Sequence, residues 1–451
     1  MKIYLFLLAA TLLDIVLLNS FFHVAIVIAL FIVVIYRLVK NLAVKICIPE
    51  MIAAIGCLIY LVMPVIAYHY YNEQNYFTQL YKNAMPVEEN TYFNFALPGT
   101  LLMIIGLMTS TVRQRMTDFE LIQSCKVYLS DRRILGMLLI ILGLFSSAVI
   151  NMVPDVFRMI VYYSSQLTFI GVLYLLHSQI KGKKWIAISA VALLVGQSSI
   201  TGMYGELVFW SIFGMMILTL GTQVGLIIKS TILIFGAALV LLLQSVKHEY
   251  RLAMWSGSEK GSKPSMMFEI AKARILDPAS IAKPIKLFGM ATRMNQGYLV
   301  ARAMDYVPRK EPFANGETII TSLGAAVLPR FVWQDKPEIG GRDMICRFLG
   351  DCHKLKYAYD IGQLGEGYVN FGVIGGAIFM FFYGWFIRLS YNIIANLSVR
   401  HATLILWVPM IFFSALSLET DFLTFINSFT KAIVFCALVY GGAKFAWNSI
   451  R

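Results

Sequence analysis

STILIFGAALVLLLQS at residues 230–245, followed at once by VKHEYRLAMWSGSEKGSKP at 246–264, sets the reading of the whole chain. The first string carries no charge and approaches the ~20 apolar residues a helix needs to cross ~30 Å of hydrocarbon. The second is too polar to continue into lipid. Runs like the first recur on both sides of it, near 3–19, 21–36, 51–71, 95–112, 134–153, 157–176, 185–201, 207–220, 366–387, 402–418 and 422–443. With 230–245 they predict an all-α integral membrane protein of about twelve transmembrane helices. Spans one to nine fall in 1–245, a single large polar segment in 246–364, and spans ten to twelve in 365–451. A composition that is 59% hydrophobic and only 14% charged agrees, because a soluble domain of this length holds far more charge. The first run lacks a small-residue cleavage site and leads straight into a second, so it reads as a retained span rather than a signal peptide.

Lysine and arginine in the short connections set the orientation. Alternate connections hold Arg37, Lys40 and Lys45, then Arg113, Arg115, Lys126, Arg132 and Arg133, then Lys181, Lys183 and Lys184, then Lys229, then Arg388 and Arg400. The short loops of the opposite face hold only Lys82 and Arg158. Both termini are therefore expected in the cytoplasm and 246–364 outside. Topology accounts for most of the net charge of +13, and no basic-aromatic repeat asks for a nucleic acid. The outer segment, too long to obey the positive-inside rule, still carries 18 Lys or Arg against 12 Asp or Glu. An anionic partner at the membrane surface, such as lipid, suits it.

Within that segment 265–276 and 285–305 read as helices, the second with Leu287, Met290, Ala291, Met294, Tyr298 and Ala301 on one apolar stripe. Arg302 is expected to pair with Asp305. The run 318–329 is too short to span and reads as an interfacial or re-entrant helix stopped by Pro329. Cys346 and Cys352 either close a small disulfide loop or remain half-buried thiols. No internal repeat relates the two halves, which argues against transporters built from paired halves.

Several chemistries are absent from the sequence: GxxxxGK[ST], HExxH, paired CxxC, Asp-x-Asp and GxSxG. No nucleotide, metal or other cofactor is expected. In LPRFVWQDKP at 328–337, Arg330 and Lys336 stand beside Trp333 between two prolines. They fit either the oxygens of a lipid diphosphate or ordinary headgroup anchoring. In GQLGEGYVNFG at 362–372, Glu366 lies among glycines at the start of a span, where a carboxylate either caps a helix or acts as a base. Lys431 and Asp14 are charges at bilayer depth, costly unless they serve a polar cavity or a buried partner. Glu419 and Asp421, on the turn between the last two spans, read as helix caps.

The order Arg293, Pro308, Gly316, LPRFVWQDKP and GEGYVNFGVIGG resembles the downstream half of the O-antigen polymerase (Wzy) family of oligosaccharide repeat-unit polymerases, in detail over 290–376. TGMYGE at 201–206, which contains Tyr204 and Glu206, is similar to a further string of that family. Members usually place an arginine where this chain has Tyr204, so a phosphate-binding role does not carry over there. Arg330 and Gly341 match the family's spacing of arginine, ten residues and glycine. The companion spacing from histidine fails, because Ile361 stands where glycine would follow His353.

The resemblance implies a GT-C-like, metal-independent glycosyltransferase in the bacterial cytoplasmic (inner) membrane. It would join undecaprenyl-diphosphate-linked oligosaccharides on the outer face into O-antigen, capsule or exopolysaccharide. Arg293, Arg330 and Lys336 would then hold the diphosphate, with Glu366 or His353 as general base and Tyr204, Glu206 and Lys431 in support. A chain-length regulator and a flippase are the expected partners. A ligase of finished polymer and a transporter or flippase of lipid-linked sugars are the competing expectations.

Overall fold

The computed structural model describes residues 1–17, 22–130, 132–201, 205–238, 272, 283–328, 332–352 and 359–449. Every regular element among them is a helix. In chain order those of eight residues or more are α1 (Lys2–Leu17), α2 (Phe22–Asn41), α3 (Ile48–His69), α4 (Glu89–Met108), α5 (Asp118–Ser130), α6 (Arg133–Val149), α7 (Phe157–His177), α8 (Lys183–Thr201), α9 (Gly205–Thr219) and α10 (Leu226–Ala238). They continue with α11 (Pro284–Met294), α12 (Gly297–Tyr306), α13 (Glu317–Val327), α14 (Arg342–Leu349), α15 (Gly362–Ser398) and α16 (Phe422–Ser449).

Six described helices are long and apolar enough to cross a membrane: α2, α3, α4, α7, α15 and the Phe422–Gly441 part of α16. They coincide with six of the runs read from hydropathy, and the chain is a helical membrane protein. The run 402–418 is different. It breaks into short turns at Leu404–Trp407, Val408–Phe412 and Ser414–Leu416 around Pro409. Ile405 to Phe412 are buried, and irregular backbone is tolerated at membrane depth where protein covers it.

Small residues let the central helices touch. A Cβ on Gly106 would strike the carbonyl of Phe381, and one on Gly384 would strike that of Met103, so α4 and α15 meet backbone to backbone. In α3, Pro64 cannot donate to the carbonyl of Tyr60, and the helix widens to a π turn over Leu58–Val62. The Tyr92 hydroxyl donates to the freed carbonyl at 2.8 Å.

At 37 residues α15 far exceeds one crossing. It breaks at Gly372, whose φ of 67° lies in the left-handed region. The bend lays Gly367 against Gly376. Residues from Gly362 to Asn370 consequently lie buried inside the protein.

The polar segment departs from the sequence reading in two places. The run 285–305 is two helices, α11 and α12, with Asn295 and Gln296 between them. Arg302 pairs with Asp351 at 2.7 Å, while Asp305 pairs with Arg309 at 2.7 Å, one helical turn away. Cys346 and Cys352 form a disulfide, whereas Cys47, Cys57, Cys125 and Cys436 are buried and free. The short apolar run near 318–329 is helical as α13, and Pro329 falls outside the described residues. The expected helix at 265–276 lies outside them too, apart from Lys272.

Candidate functional site

Three carboxylates converge where α15 and α16 begin. Asp360 precedes α15, Glu366 lies in its first turns, and Asp421 precedes α16. All are buried, with 7%, 1% and 2% of their surface exposed. Such density of buried acid is costly unless protons or donors compensate it.

Donors account for two of the three. Asp421 is the N-cap of α16, its Oδ1 accepting from the Thr424 amide at 2.7 Å. Glu366 Oε2 accepts the Phe422 amide at 2.6 Å, and its Oε1 accepts the Thr318 hydroxyl at 2.8 Å. Glu366 therefore caps a helix, though not its own. Two acids share the positive end of α16, where otherwise unpaired amides favour negative charge. Asn370 Nδ2 donates to the Thr318 hydroxyl at 2.7 Å, and Asn370 Oδ1 accepts the Gly316 amide at 3.1 Å, which ties α13 to the bent part of α15.

Asp360 is the member left over. Its Oδ1 is buried without a hydrogen-bond partner among the described residues. Burial is the largest cause of a rise in its pKa from the ordinary 3.8 to about 8, and the Asp421 carboxylate is the second; the Asp421 amide opposes the rise, and Glu366 and Glu419 add to it. Burial also raises Asp421, against the amides of Thr424 and Gly341. No ion pair reaches any of the three among the described residues.

The backbone around Asp360 comes from distant parts of the chain. Gly341, at φ 69°, lies so close that a Cβ there would overlap the Asp360 carboxylate. Gln296, in the break between α11 and α12, donates to the Asp360 carbonyl at 2.6 Å. Gly362, at φ 73°, fits between the Leu418 carbonyl, the Tyr60 hydroxyl and Gln296. The Tyr60 hydroxyl donates to that carbonyl at 2.5 Å, and Gln363 Nε2 donates to the Thr420 carbonyl at 3.0 Å.

The residues marked out by sequence are only partly gathered here. Arg293 is exposed in the last turn of α11, three residues before Gln296. Lys336 donates to the Leu328 carbonyl at 3.0 Å, five residues before Gly341. Both thus flank contacts of Asp360 along the chain. Arg330, His353 and Tyr204 lie outside the described residues. Glu206, at the start of α9, accepts from the Tyr162 hydroxyl at 2.7 Å and from Gln166 Nε2 at 2.8 Å. Lys431 is half-buried nine residues into α16, about 14 Å along the axis at the usual helical rise. No group of three or more His, Cys, Asp or Glu is disposed to hold a metal among the described residues.

A family model for a domain of unknown function (DUF8712) matches residues 37–398, most of the chain. The chain belongs to that family. No curated protein and no solved structure matches the chain. The matched family region contains Gly341, Asp360 and Glu366 and stops before Asp421.

Proposed function

We propose that the protein is a glycosyltransferase that joins polyprenyl-diphosphate-linked oligosaccharides at the outer face of a bacterial cytoplasmic membrane. The family resemblance in the sequence motivates it. The observation that carries it is Asp360, a buried carboxylate with an oxygen left without a partner and its pKa near neutrality. A group so placed suits proton transfer, because a base works best with a pKa near the operating pH. The Cys346–Cys352 disulfide supports the outer placement, since disulfides persist in oxidising compartments. The twelve-span count, the GT-C-like architecture and cytoplasmic termini belong to this proposal.

In the proposed reaction an acceptor sugar hydroxyl attacks the anomeric carbon of the lipid-linked donor. A new carbon–oxygen bond forms as the bond to the diphosphate breaks. The hydroxyl proton passes to a carboxylate, and the lipid diphosphate leaves with the bonding electron pair. Asp360 is the better base, because both oxygens of Glu366 are occupied, Oε2 in capping α16 and Oε1 by the Thr318 hydroxyl. Charge on the leaving diphosphate is met by Arg293, Arg330 and Lys336, cations that stabilise the transition state where that charge develops. Two lipid anchors hold donor and acceptor in one plane and lower the cost of bringing them together.

A strain lacking the protein discriminates the competing functions. Single repeats on the surface glycolipid fit a polymerase, lipid-linked long polymer fits a ligase, and repeats held on the cytoplasmic face fit a flippase. Replacing Arg330 by Ala should leave expression intact and remove long chains. Normal chain lengths in Arg330→Ala and Asp360→Asn together would overturn the proposal.

A further inference from the structure

A cavity of about 160 Å³ is lined by Tyr162, Tyr163, Gln166, Trp210, Met410 and Phe413 and by the hydroxyl residues Ser414, Ser417, Thr420, Thr424 and Ser428. We propose that it binds one sugar ring of the glycan substrate; for the substrate class this rests on the function proposed above.

Size, wall chemistry and position argue for it. A cavity of about 150 Å³ takes a single benzene-sized ring, so this one holds a six-membered ring rather than a chain of them. Its walls differ in character. Aromatic faces from α7 and α9 suit the C–H face of a pyranose, while Ser417, Thr420 and Thr424 suit its hydroxyls. A pocket for an acyl chain needs no such hydroxyl wall.

The aromatic wall is held in advance. Gln166 donates to Glu206 at 2.8 Å and accepts the Trp210 indole N–H at 2.6 Å. Tyr162 donates to the other Glu206 oxygen at 2.7 Å, and Phe169 stacks parallel on Trp210 with ring centroids 4.9 Å apart. Glu206 thereby fixes three lining side chains, Tyr162 and Gln166 directly and Trp210 through Gln166, without itself lining the cavity. This gives Glu206, the last residue of the TGMYGE string, a positioning role.

The turn from Ser417 to Thr424 supplies both the hydroxyl wall and Asp421, between Thr420 and Thr424. A ring seated in the cavity therefore lies against the turn that carries Asp421.

The test uses the full chain in lipid nanodiscs and saturation-transfer NMR with methyl glucoside, methyl galactoside and methyl N-acetylglucosaminide as probes. At least one should give a signal that falls at least tenfold in Thr424→Trp, which fills the cavity, and severalfold in Trp210→Phe. Should Thr424→Trp fail to fold, Ser417→Val replaces it. Asp360→Asn should keep the signal, because Asp360 does not line the cavity. No signal from any of the three, signals that survive every cavity variant, or displacement by decanol would overturn the proposal. Glycoside binding without any transfer of lipid-linked glycan would retain the pocket and overturn the glycosyltransferase. Transfer without glycoside binding would do the reverse.

Discussion

The two ends of the helix bundle each bury acid, and they treat it in opposite ways. At the end where α2 meets α3, Glu50 is 1% exposed, and its Oε1 receives Lys45 at 2.6 Å, Asn41 at 2.9 Å and Arg37 at 3.7 Å. Nearby Asp118 accepts the Ile46 amide and the Tyr391 hydroxyl, each at 2.7 Å, and Gln114 at 2.6 Å. At the other end Asp360, Glu366 and Asp421 have helix-terminal amides and a threonine hydroxyl but no described cation. The first arrangement neutralises charge and fixes two helix connections. Each end keeps one buried carboxylate oxygen without a partner among the described residues, Glu50 Oε2 at the first and Asp360 Oδ1 at the second, so what separates them is the cation: without one among the described residues, Asp360 is driven to hold a proton.

The largest effect expected of that difference is on chemistry. Asp360→Asn keeps the shape of the side chain and removes the base, so transfer should fall by about 10²- to 10⁴-fold, the usual contribution of a positioned base. Long-chain glycan on membranes, quantified by gel, reads this directly. Glu366→Gln, which keeps an oxygen for the Phe422 amide, should cost less than Asp360→Asn. The opposite order would return the base to Glu366.

At the other end the expected loss is in stability. Replacing Arg37 and Lys45 together by Met strands Glu50 in the interior, and breaking a buried pair this way typically costs about 3 kcal/mol or more. Thermal unfolding in detergent should show a lower transition for the double variant. Glycan transfer per folded molecule should remain within about twofold on the factor-of-ten scale that 1.4 kcal/mol represents. A selective loss of transfer would erase the contrast between the ends.

The pH response should separate them further. The folded pKa of Asp360 is raised above its ordinary 3.8, so folding takes up a proton between about pH 4 and 8. The stability this contributes is complete below pH 4 and is lost as pH rises through 8. The unfolding temperature should therefore decline across that window, and Asp360→Asn should flatten the decline. A slope unchanged in Asp360→Asn would remove Asp360 as its source.

Hydropathy made the six long helices legible because spanning length and apolarity are local properties. The break-up of 402–418 was not, since burial by neighbouring protein, rather than the run's own composition, permits its irregular turns. Glu366 could be read as a cap, but the helix it caps starts at Phe422, a pairing no local spacing reveals. Arg302 likewise chose Asp351 across the fold over Asp305 in its own helix. Asp360 was missed altogether: a lone acid in a polar stretch acquires meaning only once Gly341, Gln296 and Asp421 close around it. The one sequence signal for it was indirect, the spacing that ends on Gly341.

The smallest effect is the most discriminating. Asn is as good an N-cap as Asp, so Asp421→Asn should still accept the Thr424 amide and change stability by less than about 1 kcal/mol. It nevertheless removes the second-largest cause of the raised Asp360 pKa. The upper end of the pH-dependent decline should move below 8 and the pH profile of transfer should move with it, because both report the same proton. If the upper end of the stability decline moves while the transfer profile stays, the cluster is a shared electrostatic unit but Asp360 is not the base.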